Sequence, residues 1–194
     1  MVSYLDSMDL IQDADLILFS GSTLFEELIK FRTRSDISHV GVVLRTHGRM
    51  AVIESLDHCG PTITPIDKYV SDRSIRLGWS RLRAEEFGVD RDRFIEGMLQ
   101  GWGKEYASWW QFARSWGFCT KRIGDWLGCS VDTDPNRFFC SEYVAENLIY
   151  AGYDRSFIRK EFGQDIQPAE MSPAQLIRLP VFDYQGRLYV DEAA

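Results

Sequence analysis

The stretch ISHVGVVL, residues 37–44, is followed by the turn-like Thr46-His47-Gly48 and then by RMAVIES, residues 49–55. Both runs are β-branched and apolar at successive positions rather than at alternate ones, the pattern of a strand covered on both faces. Joined by so short a turn, they read as a hairpin set inside a sheet. A fold built around that hairpin must supply a packing layer for each face of the sheet.

The rest of the chain offers those layers. Asp15 to Phe19 is a short apolar strand ending at Ser20-Gly21, and Thr23-Leu-Phe-Glu26 has capping-box spacing ahead of a Leu24, Phe25, Leu28, Ile29 stripe. Cys59-Gly60-Pro61 interrupts the chain before a strand over Thr62 to Ile66, and Ser74 to Leu82 alternates as another strand. From Asp90 the period becomes helical: Phe94, Ile95, Met98, Leu99 and Trp102 share one helix, and Trp109, Phe112 and Trp116 a second. A third runs through Cys140, Val144, Leu148 and Ala151, with Gly152 as its C-cap. Ser172-Pro173 starts a short helix, and Val181 to Val190 reads as a terminal hairpin turning at Gln185-Gly186. Strands first, helices inserted, strands last: the order is that of an α+β fold.

Composition narrows the function. With 194 residues, 45% apolar, and no repeat or Pro/Gly/Ser-rich linker, residues 1–194 form a single domain on this reading. The net charge of −7 is spread along the chain without a Lys/Arg stripe, which argues against a nucleic-acid partner. The first 19 residues hold four Asp and no Lys or Arg, unlike a secretory leader, and no apolar run is long enough to cross a membrane. A soluble, cytoplasmic protein is expected. Four cysteines (Cys59, Cys119, Cys129, Cys140) without C-x-x-C spacing are expected to be free thiols. His58-Cys59 lacks further spaced ligands, so neither a metal site nor a cofactor is expected. Ser20-Gly21-Ser22 lacks the Gly-Lys-Ser/Thr of a phosphate loop and is read as a turn bordering the site, with Ser22 as a substrate-side residue.

Three residues carry the chemistry. Cys140 stands at a helix start with Glu142 in the first turn, and a thiol there beside an imidazolium becomes a thiolate well below its usual pKa of about 8.5. His39 is the one strand histidine, sharing a pleat face with Ile37, Gly41 and Val43; Gly41 is expected to let the thiol helix approach the imidazole. Glu54, on the next strand, is the group expected to hold the imidazole in one tautomer, with Asp57 or His58 as substitutes. The backbone N–H of Cys140 would be one oxyanion donor.

The run DISHVGVVL, then VIES, then FFCSEYVAENL about a hundred residues after the histidine, resembles the circularly permuted NlpC/P60, or permuted papain-like, family of the YiiX/YaeF type. Gly103-Lys-Glu-Tyr106 is similar to that family's Gly-Lys-x-Tyr, and Ser172-Pro173 to its Ser-Pro. The resemblance covers roughly residues 13 to 180. It implies a papain-like α+β fold, a Cys140 helix on a small antiparallel sheet bearing His39 and Glu54, and thiol attack on an amide, ester or thioester carbonyl. Amide cleavage in a peptide or aminoacyl-type substrate comes first, because the distant lipid enzymes carry a second histidine where Glu54 stands. Acyl transfer, lipid-ester hydrolysis and a non-catalytic peptide- or lipid-binding module are the alternatives. Tyr106 matches the motif tyrosine and is expected to position substrate. Trp109 and Trp110, in a stretch holding five of the six tryptophans, cannot both face one core, so one is a candidate for the cleft or for peripheral lipid contact.

Overall fold

A computed structural model of the chain describes residues 2–56, 59–101, 105–106, 137–138 and 140–189. The strands are β1 (Val2–Ser3), β2 (Leu16–Ser20), β3 (His39–Thr46), β4 (Arg49–Leu56), β5 (Gly60–Pro65), β6 (Arg76–Leu82), β7 (Glu105–Tyr106), β8 (Arg137–Phe138) and β9 (Phe182–Tyr189). The helices are α1 (Tyr4–Ser7), α2 (Leu24–Thr33), α3 (Asp67–Val70), α4 (Ala84–Phe87), α5 (Arg91–Gln100), α6 (Cys140–Tyr150), α7 (Ser156–Phe162) and α8 (Pro173–Leu176). The main sheet runs β1-β9-β6-β2-β3-β4-β5; six of its strands are antiparallel to their neighbours, and β1 adds to β9 in parallel. The short β7 and β8 pair separately.

The central hairpin forms as expected. Thr46 pairs with Arg49 across a two-residue turn in which His47 and Gly48 both have positive φ, 49° and 76°, the backbone twist that suits a tight hairpin. Alternation along β2, β3 and β4 divides its side chains between two cores. Leu16, Leu18, Val40, Val42 and Ile53 pack with Phe94 and Met98 of α5 and Tyr143, Val144 and Leu148 of α6. Ile17, Phe19, Val43 and Val52 pack on the other face with Tyr4, Ile11, Ile66 and Tyr69. Burying one such aliphatic side chain is worth about 1.5–3 kcal/mol, so this two-faced burial is what selects the hairpin's register.

Three expectations need correction. The segment from Val181 is one strand, not a hairpin: β9 runs antiparallel to β6 throughout, with Trp79 opposite Gly186 and Ser80 opposite Tyr184. Gln185 is therefore the extra residue of a bulge, and Gly186, at φ 135°, absorbs it. Pro61 lies inside β5 rather than before it, which the sheet tolerates because β5 is an edge. The stripe expected on α2 is only partly covered: Ile29 is buried, Leu28 half-buried and Leu24 92% exposed.

At the end of β2 away from His39, Asp15 is a fully buried carboxylate. It accepts hydrogen bonds at 3.0 Å from the Leu82 N–H, the Trp79 indole and the Gln12 N–H, with Arg81 and Arg91 at 3.7 and 3.6 Å. Donors on all sides compensate the cost of burying the charge, which makes it a clamp between the two ends of the sheet strands rather than a reactive group.

Candidate active site

α6 presents its apolar stripe as read from the sequence: Cys140, Val144, Leu148 and Ala151 are all buried, as are Tyr143 and Ala145 beside them. The helix is held at its start by Ser141, whose buried hydroxyl donates to the Met171 carbonyl at 2.6 Å. That bond ties the thiol-bearing turn to the segment leading into α8, where Ser172 closes a capping box with Gln175 and Pro173 takes the first helical position.

His39 opens β3 and sits opposite Phe19 of β2, their rings 5.1 Å apart. Its Nε2 lies 2.8 Å from Glu54 Oε2, and the ring also hydrogen-bonds Cys140. Glu54 is fully buried in β4. Its other oxygen accepts from the Tyr69 hydroxyl, and Thr64 of β5 supplies a further hydrogen bond. Phe19 stacks edge-on against Tyr69 at 4.7 Å and so walls the His39–Glu54 contact from one side.

The electrostatics follow from these contacts. Burial alone would drive the His39 imidazolium to lose its proton, but the charge and hydrogen bond of Cys140, together with those of Glu54, outweigh it and push the pKa up to about 10. Burial alone would likewise raise Cys140. The His39 charge and hydrogen bond, with the backbone N–H groups of Val40 and Ser141, instead hold the thiol below its ordinary range. Glu54 stays below the usual carboxylate range for the same reason: the His39, Thr64 and Tyr69 hydrogen bonds exceed the cost of burial. Tyr69, buried against that carboxylate, is held protonated well above the ordinary phenol range. These shifts all run in the direction that favours alternating charge along Cys140, His39 and Glu54, closed by a neutral phenol donor.

Gly41 plays a different part from the one expected. It does share His39's pleat face, but α6 packs on the opposite face, with Val40 and Val42. A Cβ at Gly41 would stand 2.3 Å from Val52 Cγ1 and 3.1 Å from Glu54 Cβ. The missing side chain makes room for Val52 and Glu54 across the strand pair, not for the thiol helix.

Of the expected residues, the structure brings Cys140, His39 and Glu54 together. Ser22 is exposed in the turn after β2; the Gly21 N–H donates to Ser38 Oγ at 3.2 Å, which places that turn at His39's end of the sheet. Tyr106 belongs to β7 by its backbone, and its side chain lies outside the described residues, as does that of Phe138. Trp102, Trp109, Trp110, Phe112, Trp116, Trp126, Cys119, Cys129, Phe139, Asp57 and His58 also lie outside them. Tyr69, Thr64, Phe19 and the Val40 N–H were not singled out from the sequence. Tyr69 is a lone aromatic on a four-residue helix after an edge strand, and only the β4–β5 register brings it to Glu54. Cys59 is exposed and Cys140 buried, both as free thiols. Among the described residues no helix is long and apolar enough to cross a membrane.

Comparison with known proteins gives a fold. The crystal structure of metalloprotein YiiX from Escherichia coli O157:H7 superposes with a TM-score of 0.60 at 17% identity, covering 92% of this chain and 98% of that one. The chain thus has a YiiX-like, mixed α+β fold. No family model matches the chain, and no curated protein matches it in sequence.

Proposed function

We propose that the chain is a single-domain cysteine hydrolase of the permuted papain-like, NlpC/P60 kind, cleaving amide bonds of a peptide or aminoacyl-type substrate. The observation that carries this is the position of His39, hydrogen-bonded on one side to a thiol of lowered pKa and on the other, at 2.8 Å, to a buried carboxylate. Cys140, as thiolate, attacks the carbonyl carbon, and the oxygen takes up the negative charge beside the Cys140 N–H. A single such donor is worth about 3 kcal/mol to the transition state. The His39 imidazolium gives its proton to the leaving amine as the C–N bond breaks, leaving a thioester on Cys140. His39, now neutral, takes a proton from water; the hydroxide adds to the thioester carbonyl, and collapse releases the acid and restores the thiolate. Glu54 keeps the imidazole in the tautomer that faces Cys140 and stabilises its charged form.

The YiiX structure is described as a metalloprotein. In this chain the His39 ring is hydrogen-bonded to both Cys140 and Glu54. Among the described residues no group of three or more His, Cys, Asp or Glu is placed to hold a metal ion. The described donor set therefore does not fit a resident metal.

Acyl transfer or lipid-ester hydrolysis would use the same thiol. That reading is favoured by Leu24 and Phe31 on α2, 92% and 82% exposed. Assay of peptide amides and short-chain esters with the protein and its Cys140→Ala variant separates the two. Amine release that is lost in the variant supports the amidase; release of fatty acid alone selects the lipid reading; no release from either contradicts both.

A further inference from the structure

A cavity of about 800 Å³ lies between the C-terminal end of α2 and the segment that enters α8. Arg32, Arg34 and Ser35 line one wall, and Glu170, Ser172 and Arg178 the other. Both walls belong to segments that adjoin the candidate active site along the chain. Ser35 stands four residues before His39, and Ser172 follows Met171, whose carbonyl receives the Ser141 hydroxyl next to Cys140.

The charge of this cavity opposes that of the molecule. The chain carries 29 acidic and 22 basic residues, yet three arginines and one glutamate line the cavity. Glu170 is engaged locally, its carboxylate accepting from the Gln167 N–H at 3.4 Å. Arg178 is held in place by Glu161 Oε1 at 3.1 Å and by the Phe162 ring, 5.2 Å from its guanidinium. A guanidinium has about five donors in a rigid fork, so one bond to Glu161 orients the group without exhausting it. Arginines gathered around a concave surface raise the local positive potential, and their planar forks match oxyacid groups with paired hydrogen bonds.

We infer that this cavity is a subsite for an anionic oxyacid group, carboxylate or phosphate, carried by the substrate a short distance from the carbonyl that Cys140 attacks. The inference rests on the cysteine-hydrolase reading and adds to it a substrate class: acids rather than neutral amides.

The test compares alkylation of Cys140 by iodoacetate, which carries a carboxylate, with alkylation by neutral iodoacetamide, at low salt. The ratio of the two rates should fall about tenfold in an Arg34→Gln, Arg178→Gln double variant, and several-fold in Arg34→Gly, while the iodoacetamide rate stays as it was. Arg34→Gly guards against misfolding, because Arg34 has φ 51°, a conformation glycine adopts freely. A ratio equal in all three proteins overturns the subsite. Failure of the hydrolase reading looks different: the iodoacetamide rate alone would then follow an ordinary thiol. Inorganic phosphate and acetate distinguish the source of the anion. Stronger protection of Cys140 against iodoacetate by phosphate points to a phosphorylated substrate, and stronger protection by acetate to a carboxylate; protection by neither overturns the inference.

Discussion

Glu54 stands opposite Gly41, not opposite His39, in the register of β3 and β4, yet its Oε2 reaches His39 Nε2 at 2.8 Å. The contact is diagonal across the strand pair, a span that long side chains bridge only when the position between them is clear. The bare backbone at Gly41 leaves it clear.

Gly41→Ala therefore tests the assembly of the site without touching a reacting group. The added methyl would stand 2.3 Å from Val52 Cγ1, so the strand pair must shift, at a cost of roughly 1–3 kcal/mol. Urea unfolding should show a lower midpoint, and amide hydrolysis should fall more than the lost stability accounts for, because Glu54 is displaced from His39. An unchanged midpoint would mean that the sheet has slack here that the packing does not show.

Glu54→Gln keeps the shape and removes the charge. Hydrolysis should fall by about a hundredfold or more, because the imidazole loses the partner that sets its tautomer and supports its proton. The same variant has a readout in stability. Glu54 titrates below its ordinary value of 4.5 in the folded protein, so its stabilising effect is full above that value and is lost as pH falls through the folded one. Thermal melts from about pH 6 down to about pH 3 should show a steeper loss in the parent protein than in Glu54→Gln. Parallel curves would remove Glu54 from the account of acid stability.

Tyr69→Phe takes away the hydroxyl that donates to Glu54 Oε1 and leaves that buried oxygen short of a partner. A cost of about 1–3 kcal/mol is expected from an acceptor stranded in this way. Because Glu54 then rises towards neutrality, hydrolysis by Tyr69→Phe should decline on the acid side of the pH profile before it declines at neutral pH. A uniform loss at all pH values would assign Tyr69 to packing alone.

How much of this was legible in the sequence depended on whether the signal was local. The capping box at Thr23, the helix start at Ser172-Pro173, the turn at Thr46-His47-Gly48 and the stripe of α6 are statements about neighbours in the chain, and the structure shows each of them. His39 and Glu54 could be paired by pleat face because a strand alternates strictly, and Cys140 joined them through the order of the resembling family's motifs. Gln185-Gly186 could not be read correctly: a glycine at positive φ serves a turn and a bulge equally, and only pairing with β6 distinguishes them. The role of Gly41 needed the knowledge that α6 covers the other face of β3. Tyr69 and the Val40 N–H enter the site through tertiary register, which leaves no pattern in the chain.

The most direct test of the central claim is the rate of Cys140 alkylation by iodoacetamide against pH, in the parent protein and in His39→Ala. His39 is pushed up to about 10 and Cys140 is held below its ordinary range, each charged form supporting the other. The account predicts a rate already near its plateau at about pH 6 in the parent, and a rise only around pH 8.5 in His39→Ala. A parent profile that rises only around pH 8.5, unaltered by His39→Ala, would contradict it.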